Sequence, residues 1–262
     1  MTVSDFKKIL QSLGIFSGDK ILVSSEIMKM LIQLAGEDQE KLRNRAEMTM
    51  LLDKIIDCLQ EVVGETGTLL FPTFNWGFCK GRAFDYCKTL GQTGILSNRA
   101  LVRTDFKRTC HPIYSFAVWG KGTEELVSLQ NKSSFGEDSP FAWLHRHKGK
   151  NLVIDASGYF TFLHYVEEKF GVPYRYIKDF SADYKDKNGN VSNRSYSMYV
   201  RDLDLNFIAD NEGIEKVLLG HDVMSIKIVN DIRFCLICFD EAFYWLKDEI
   251  QNNQAKNLMK WL

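Results

Sequence analysis

The sequence predicts an α/β domain with a central mixed β-sheet flanked by helices, and three observations predict it. Short apolar runs alternate with segments of helical periodicity, the runs are entered and left through Gly, Pro and Ser, and no linker rich in those residues divides the 262 residues. The chain therefore reads as one domain over 1–262. Hydrophobic residues make up 45% of it and charged residues 26%, which supplies enough apolar surface for a core.

The first element is a helix over Val3 to Leu13, with Phe6, Leu10 and Leu13 at helical spacing and Ser4 as the expected cap. Ser17-Gly18-Asp19 turns the chain into the strand Ile21-Leu22-Val23. A longer helix covers Met48 to Val63; Gly64 ends it, and Gly67 to Phe71 forms a buried strand that Pro72 leaves. Phe116-Ala117-Val118-Trp119 and Asn151-Leu152-Val153-Ile154 read as further strands, with a short helix over Gly136 to Lys148 between them. After a loop at Ala156-Ser157-Gly158, Phe162 to Phe170 reads as a helix that Pro173 stops. From Tyr174 to Leu205 polar and aromatic residues alternate around Asn188-Gly189, the signature of a hairpin extension. The chain closes with a helix (211–219), two strands (226–229 and 234–239) and a final helix (241–252).

Composition narrows the function classes. Residues 1–17 lack the continuous apolar core of a signal peptide, and the apolar runs fall well short of the roughly 20 residues of a membrane-spanning helix, so no membrane insertion and a cytoplasmic location are expected. Six scattered cysteines fit reduced thiols better than a disulfide framework, and Cys235 and Cys238, in an apolar run without a second pair, fit core packing better than a metal site. The formal net charge of −1 carries no nucleic-acid footprint. Small molecules are the expected partners. The sequence permits a homodimer without requiring one.

Three constellations carry chemistry. In Ala156 to Glu167 the helix is expected to place Thr161, His164 and Glu167 at successive i, i+3 positions on one face. An imidazole titrates nearest neutrality and suits proton abstraction, and a neighbouring carboxylate can fix its tautomer and stabilise the imidazolium. The same spacing also serves ordinary surface pairs. In Arg108-Thr109-Cys110-His111-Pro112, Pro112 extends the backbone at His111, which could contact a ligand or tie down the loop. In Gly136-Glu137-Asp138-Ser139-Pro140, Asp138 or Ser139 fits a helix cap ahead of Pro140.

Taken in order, Gly67 to Phe74, Arg108 to Ser115, Gly136-x-x-Ser139-Pro140, Thr161-x-x-His164-Tyr165-x-Glu167 and Gly220-His221 resemble the motifs of the aminoglycoside 3-N-acetyltransferase family, over about residues 10 to 250. The resemblance implies acetyl-CoA as co-substrate, no metal, and direct acetyl transfer to an amine. It implies His164 as catalytic base accompanied by Thr161 and Glu167. On the coenzyme side it implies Ser24, Ser25, Thr73, Arg108, Thr109 and His111, and on the substrate side Phe74, Asp138 and Tyr165. Two positions depart from the pattern: Val23-Ser24-Ser25-Glu26 stands where the family has His-Ser-Ser, and Thr109 stands where it has Ser.

For the acceptor, Asp plus Glu number 34 against 33 for Lys plus Arg, a weak field for a polycation. The Tyr-, Arg- and Lys-bearing hairpin, with Tyr174, Arg175, Tyr176, Lys178, Tyr184, Arg194, Tyr196 and Tyr199, suits a nucleotide-linked amino sugar of surface polysaccharide synthesis. The alternatives are an aminoglycoside, making the protein a resistance enzyme, or a non-catalytic coenzyme-binding protein on the same fold. A rival mechanism, Cys110 as nucleophile beside His111, suffers because sequence neighbours on an extended chain point apart.

Overall fold

The structure, a computed structural model, describes residues 1–156 and 160–261. The loop expected at Ser157 and Gly158 lies outside the described residues. Helix α1 (Val3–Leu13) buries Phe6, Ile9, Leu10 and Leu13 along one stripe. Its cap is Thr2 and not Ser4: Asp5 N–H donates to Thr2 Oγ1 at 3.1 Å and Thr2 N–H donates back to Asp5 at 2.8 Å, a reciprocal box that the Ser4 frame cannot form. Strand β1 (Lys20–Ser25) leads to α2 (Met28–Ala35), and α3 (Arg45–Val63) is capped by Asn44 and closed at Gly64. Strand β2 (Thr68–Pro72) follows, then the short β3 (Phe84–Asp85), α4 (Ile95–Val102), β4 (Lys107–Arg108) and β5 (Phe116–Gly120).

Helix α5 (Thr123–Ser128) precedes α6 (Pro140–Arg146), where Ser139 caps a helix shorter than the sequence reading and Pro140 sits in its first turn. Strand β6 (Lys150–Ile154) and α7 (Leu163–Phe170) come next. Strands β7 (Arg175–Lys185) and β8 (Val191–Arg201) pair along their whole length, and their turn is built as Asn188-Gly189 foretells: Asp186 accepts from the N–H groups of Asn188 and Asn190, both at 2.9 Å. The remainder is β9 (Phe207–Ala209), α8 (Asn211–Gly220), β10 (Met224–Val229), β11 (Ile232–Cys238), α9 (Phe239–Asn252) and β12 (Met259–Trp261).

The main sheet runs β10-β11-β6-β1-β2-β5-β4. Strand β1 is parallel to both β2 and β6, while the outer pairings are antiparallel, so the sheet is mixed as expected. Period-2 alternation divides its side chains between two cores. Ile21, Val23, Leu69, Phe71, Leu152 and Ile154 pack on the face covered by α1 and α3. Leu22, Leu70 and Val153 face the other way, into the core that α6, α7 and α9 complete, and Cys235 is buried in that second core as expected. Because β2 lies on one side of β1 and β6 on the other, the chain reverses direction across β1. The carboxyl ends of these three strands therefore diverge into a crevice, the place where open α/β sheets bind ligands. Among the described residues no helix is long and apolar enough to cross a membrane.

Gly120 ends β5 with φ of 100°, and a Cβ there would collide with the Gly67 carbonyl. Gly120→Ala is expected to destabilise the fold by about 2 kcal/mol or more, from the left-handed backbone and the clash together. Urea unfolding at constant m-value measures it, and a loss under about 0.5 kcal/mol would show that the strand end relaxes freely.

Candidate active site

Loops from β1, β2 and β6 are stitched together at the crevice. Glu26 N–H donates to the Ile154 carbonyl at 2.9 Å, and Lys29 reaches Asp155 at 3.0 Å, joining the β1 and β6 exits. Gln92 N–H donates to the Phe74 carbonyl at 2.7 Å and Asn75 Nδ2 to the Leu90 carbonyl at 2.8 Å, which lays the approach to α4 against the β2 exit. A Cβ on Gly94 would lie 3.6 Å from the Ser25 carbonyl, so α4 begins beside the end of β1.

The β6 exit continues into α7, whose first turn holds His164. His164 Nδ1 lies 2.7 Å from Glu167 Oε2, one helical turn on. That carboxylate is 2% exposed, and Arg175 Nε stands 2.7 Å from the same oxygen, off the N–H axis, as an ion pair. Burial opposes the charge on Glu167, but the hydrogen bond and charge of His164, followed by the Arg175 charge and the Tyr174 phenol, outweigh it and hold the carboxyl below its usual range. Burial, reinforced by the Glu167 charge, pushes the Tyr174 phenol upward. An ionised Glu167 accepts, so the neutral imidazole carries its proton on Nδ1 and presents the lone pair of Nε2. The His164 side chain is 26% exposed, and its ring stands 5.3 Å from that of Phe135. Phe135 in turn packs on Tyr114 at 4.7 Å and Phe141 at 5.5 Å, an aromatic wall that fixes the imidazole from behind.

Thr161 departs from the expected alignment. It lies in the turn before α7, where its carbonyl accepts from His164 N–H at 3.1 Å, and its hydroxyl has no hydrogen-bond partner among the described residues. Tyr165 also departs: it points into the core, sharing a 3.1 Å hydrogen bond with His145, because the residue after His164 on a helix faces about 100° away. Phe74 is buried 4.5 Å from Tyr114 and 5.2 Å from Phe116, part of the wall. Asp138 is exposed near Gly136; a Cβ on that glycine would lie 3.1 Å from Asp138 Oδ1 and 3.7 Å from Glu168 Oε1. Burial, with the Asp138 charge adding to it, raises the Glu168 carboxyl even though Ser133 Oγ donates to it at 2.8 Å.

The residues expected on the coenzyme side divide. Ser25 is half-buried at the crevice, but Ser24 is buried and bonds Asn151 at 3.2 Å inside the sheet. Thr73 and Arg108 both bond the Ser115 hydroxyl, at 2.9 Å and at 3.0 and 3.1 Å. The Thr109 hydroxyl accepts from Phe116 N–H at 2.9 Å and extends the β4–β5 pairing. His111 is 1% exposed; its Nδ1 accepts from the N–H groups of Ile113 and Tyr114 at 3.2 and 3.1 Å, and Nε2 faces the Lys132 carbonyl at 3.3 Å. It is a loop tie, and with both nitrogens engaged it does not activate Cys110, whose thiol burial pushes up.

Glu168 escaped the sequence reading, and Arg175 was expected only as a hairpin residue for a nucleotide-linked sugar, not as the partner of Glu167. Arg175 follows the helix-stopping Pro173 and carries no spacing signal toward Glu167; Glu168 could have been flagged only as the neighbour of Glu167. Among the described residues no group of three or more His, Cys, Asp or Glu is placed to hold a metal ion.

Residues 41–248 match the family model described as aminoglycoside 3-N-acetyltransferase. Among solved structures, the chain is similar to aminoglycoside acetyltransferase AAC(3)-Xa, at 19% identity and a TM-score of 0.79, over 96% of this chain and 93% of that one. AAC-IIIb, solved as a binary complex with CoASH, matches at 19% identity and a TM-score of 0.77 over 97% of each chain. The YokD protein of Bacillus subtilis matches at 20% identity and a TM-score of 0.76, over 98% of this chain and 96% of its own. No curated protein matches the chain in sequence.

The buried His111 yields a pH prediction. Burial lowers its folded pKa to about 3, below the ordinary value near 6.5, so the unfolded chain takes up a proton that the folded chain refuses. Its contribution is complete above about pH 6.5 and is lost as pH falls toward 3, by about 1 kcal/mol per pH unit. His111→Gln is expected to flatten the stability profile by that slope between about pH 6.5 and 5, above the carboxylate range. Denaturant unfolding at several pH values checks it, and an unchanged slope would mean that the imidazole charges in the folded state.

Proposed function

This chain belongs to the aminoglycoside 3-N-acetyltransferase family and is a CoA-dependent N-acetyltransferase with acetyl-CoA as co-substrate, and from that premise we propose that it acetylates an amine of an aminoglycoside-type amino sugar directly, with His164 as general base. The observation that carries this reading is the chain of contacts from Arg175 through buried Glu167 to His164 Nδ1, which engages that nitrogen and leaves Nε2 as the other face of a partly exposed side chain.

An aliphatic ammonium ordinarily titrates near pH 10.4, so the acceptor arrives protonated and must shed a proton before or during attack. His164 Nε2, directly or through a water, takes that proton as the N–C bond forms. The imidazolium gains a stabilising carboxylate in Glu167, and Arg175 keeps that carboxylate ionised. The thioester oxygen becomes an oxyanion, for which the unengaged Thr161 hydroxyl is the candidate donor, a role that contributes a few kcal/mol in such sites. Collapse expels the coenzyme thiolate.

The crevice fits the coenzyme. Helices α2 and α4 both start at it, and their N-caps, Ile27 and Gly94, give no side-chain cap, so their first N–H groups are left for an anion such as the pyrophosphate. Backbone donors of this kind do not need the imidazole that Val23 replaces, and Ser25 stands between them.

For the acceptor, the local charge outweighs the overall balance. Glu168 on α7 and Asp138 beside it form a rim suited to ammonium groups. Of the hairpin tyrosines that favoured a nucleotide-linked sugar, Tyr174, Tyr184, Tyr196 and Tyr199 are buried as packing and Tyr176 alone is exposed. AAC-VIa, a structural neighbour at 19% identity, is described with sisomicin bound.

His164→Ala is expected to lower kcat by about a hundredfold or more with the affinity for acetyl-CoA nearly unchanged; near-wild-type turnover in the folded variant would remove the base assignment. Thiol release from acetyl-CoA is expected to show a higher kcat/KM for gentamicin- or kanamycin-type acceptors than for any nucleotide-linked amino sugar, and the opposite order would overturn the acceptor class.

A further inference from the structure

We propose that the hollow at the β4 edge of the main sheet binds a phosphorylated small molecule of nucleotide size. This cavity of about 880 Å³ lies between the β4 edge, α5 and the tip of the β7–β8 hairpin. Its size is that of a small-molecule site.

Its charge is unusual. Arg108, at the wall, is 4% exposed and donates only to neutral groups: the Ser115 hydroxyl, the Tyr86 carbonyl at 3.1 Å and the Thr89 carbonyl at 2.6 Å. No described carboxylate lies within ion-pair distance of it, and burial pushes its pKa down to about 10. Its donors are satisfied within the protein and its guanidinium lies 4.5 Å over the Phe84 ring, so it adds positive potential to the wall while Asp85 offsets it only from a distance. Lys187 and Arg194, on either side of the hairpin turn, also have no ion-pair partner among the described residues. Both line the hollow, where Asp186 also acts on Arg194.

The two acids at the wall are already engaged. Glu124 pairs with Lys107, and Asp186 accepts from the hairpin turn. Arg108, Lys107, Lys187 and Arg194 against Glu124 and Asp186 leave the lining with two net positive charges. Arg194 lies 4.3 Å over the Tyr184 ring, donates from Nε to Ser192 Oγ at 3.1 Å and is hydrogen-bonded to Tyr196, contacts that hold its guanidinium, a group suited to a phosphate, in place at the wall. A bare anion would leave most of the space to water, whereas a nucleotide has a planar base to set against Tyr86 and Phe106.

Strand β7 runs eleven residues, roughly 33 Å, from Arg175 at the His164–Glu167 pair to Lys185 beside the lining residues Asp186 and Lys187, so a ligand in the hollow does not occupy the place of the amine at His164. The phosphate could belong to a free nucleotide or to the nucleotide end of the coenzyme, and the experiment separates the two.

Calorimetric titration of the full chain with ADP, with adenosine as control, is compared with Lys187→Gln/Arg194→Gln. ADP is expected to bind, adenosine to bind at least about tenfold more weakly, and the double variant to lose about tenfold or more in ADP affinity with its thermal unfolding unchanged. A matching rise in the KM for acetyl-CoA in the variant would assign the phosphate to the coenzyme; an unchanged KM would assign it to a separate nucleotide. No ADP binding at millimolar concentration, equal affinity for adenosine, or ADP affinity indifferent to both substitutions would overturn the proposal, and none of these readouts depends on acetyl transfer.

Discussion

A carboxylate held charged inside the protein is the constraint on which the rest of the site depends. Glu167 is almost without solvent, and an isolated carboxylate there would neutralise or leave. It stays ionised because two cationic or protonated partners reach one oxygen from different elements: His164 from the same helix and Arg175 from the first residue of β7. The hairpin is thereby tied to the chemistry. Breaking such a buried pair from one side characteristically costs about 3–5 kcal/mol, because the remaining charge is stranded. The long hairpin is thus anchored at its base by the same carboxylate that orients the imidazole.

The sheet decides where that carboxylate can be used. Strand β1 has parallel neighbours on both sides, and only at its carboxyl end do loops from β1, β2 and β6 leave in different directions. The helix that carries His164 departs from there, and so do the uncapped starts of α2 and α4. Aromatic side chains from the β2 exit, the β5 approach and α6 close the floor. Arg108, Thr109 and His111 keep that floor in place: each satisfies backbone or hydroxyl groups of the segment leading from β4 into β5.

Much of this was legible in the sequence, and the failures have physical causes. Gly64 and Pro72 bracket α3 and β2, and Asn188-Gly189 fixes the hairpin register, because each of those residues restricts or frees the backbone locally. The His164–Glu167 contact follows from helical spacing. Helices α2 and α4 passed unseen, since eight-residue helices have little room for a periodic pattern. Thr161 was drawn onto a face of α7 that begins only two residues later, a boundary error of the kind helix ends invite. Tyr165 was aimed at the substrate although it follows His164 directly. Arg175 lies beyond reach of any spacing rule, because its partner is brought to it by the fold around Pro173.

Net charge says little about a single cleft for a different reason. A chain with nearly equal numbers of acids and bases can still carry opposite fields in different places, because screening limits each to about 8–10 Å at ordinary ionic strength. Here Glu168 and Asp138 stand at α7, while Arg108, Lys187 and Arg194 line the hollow at the β4 edge, at the far end of the eleven-residue strand β7. A balance of 34 acids against 33 bases is a sum over every surface of the chain and describes neither of these two places.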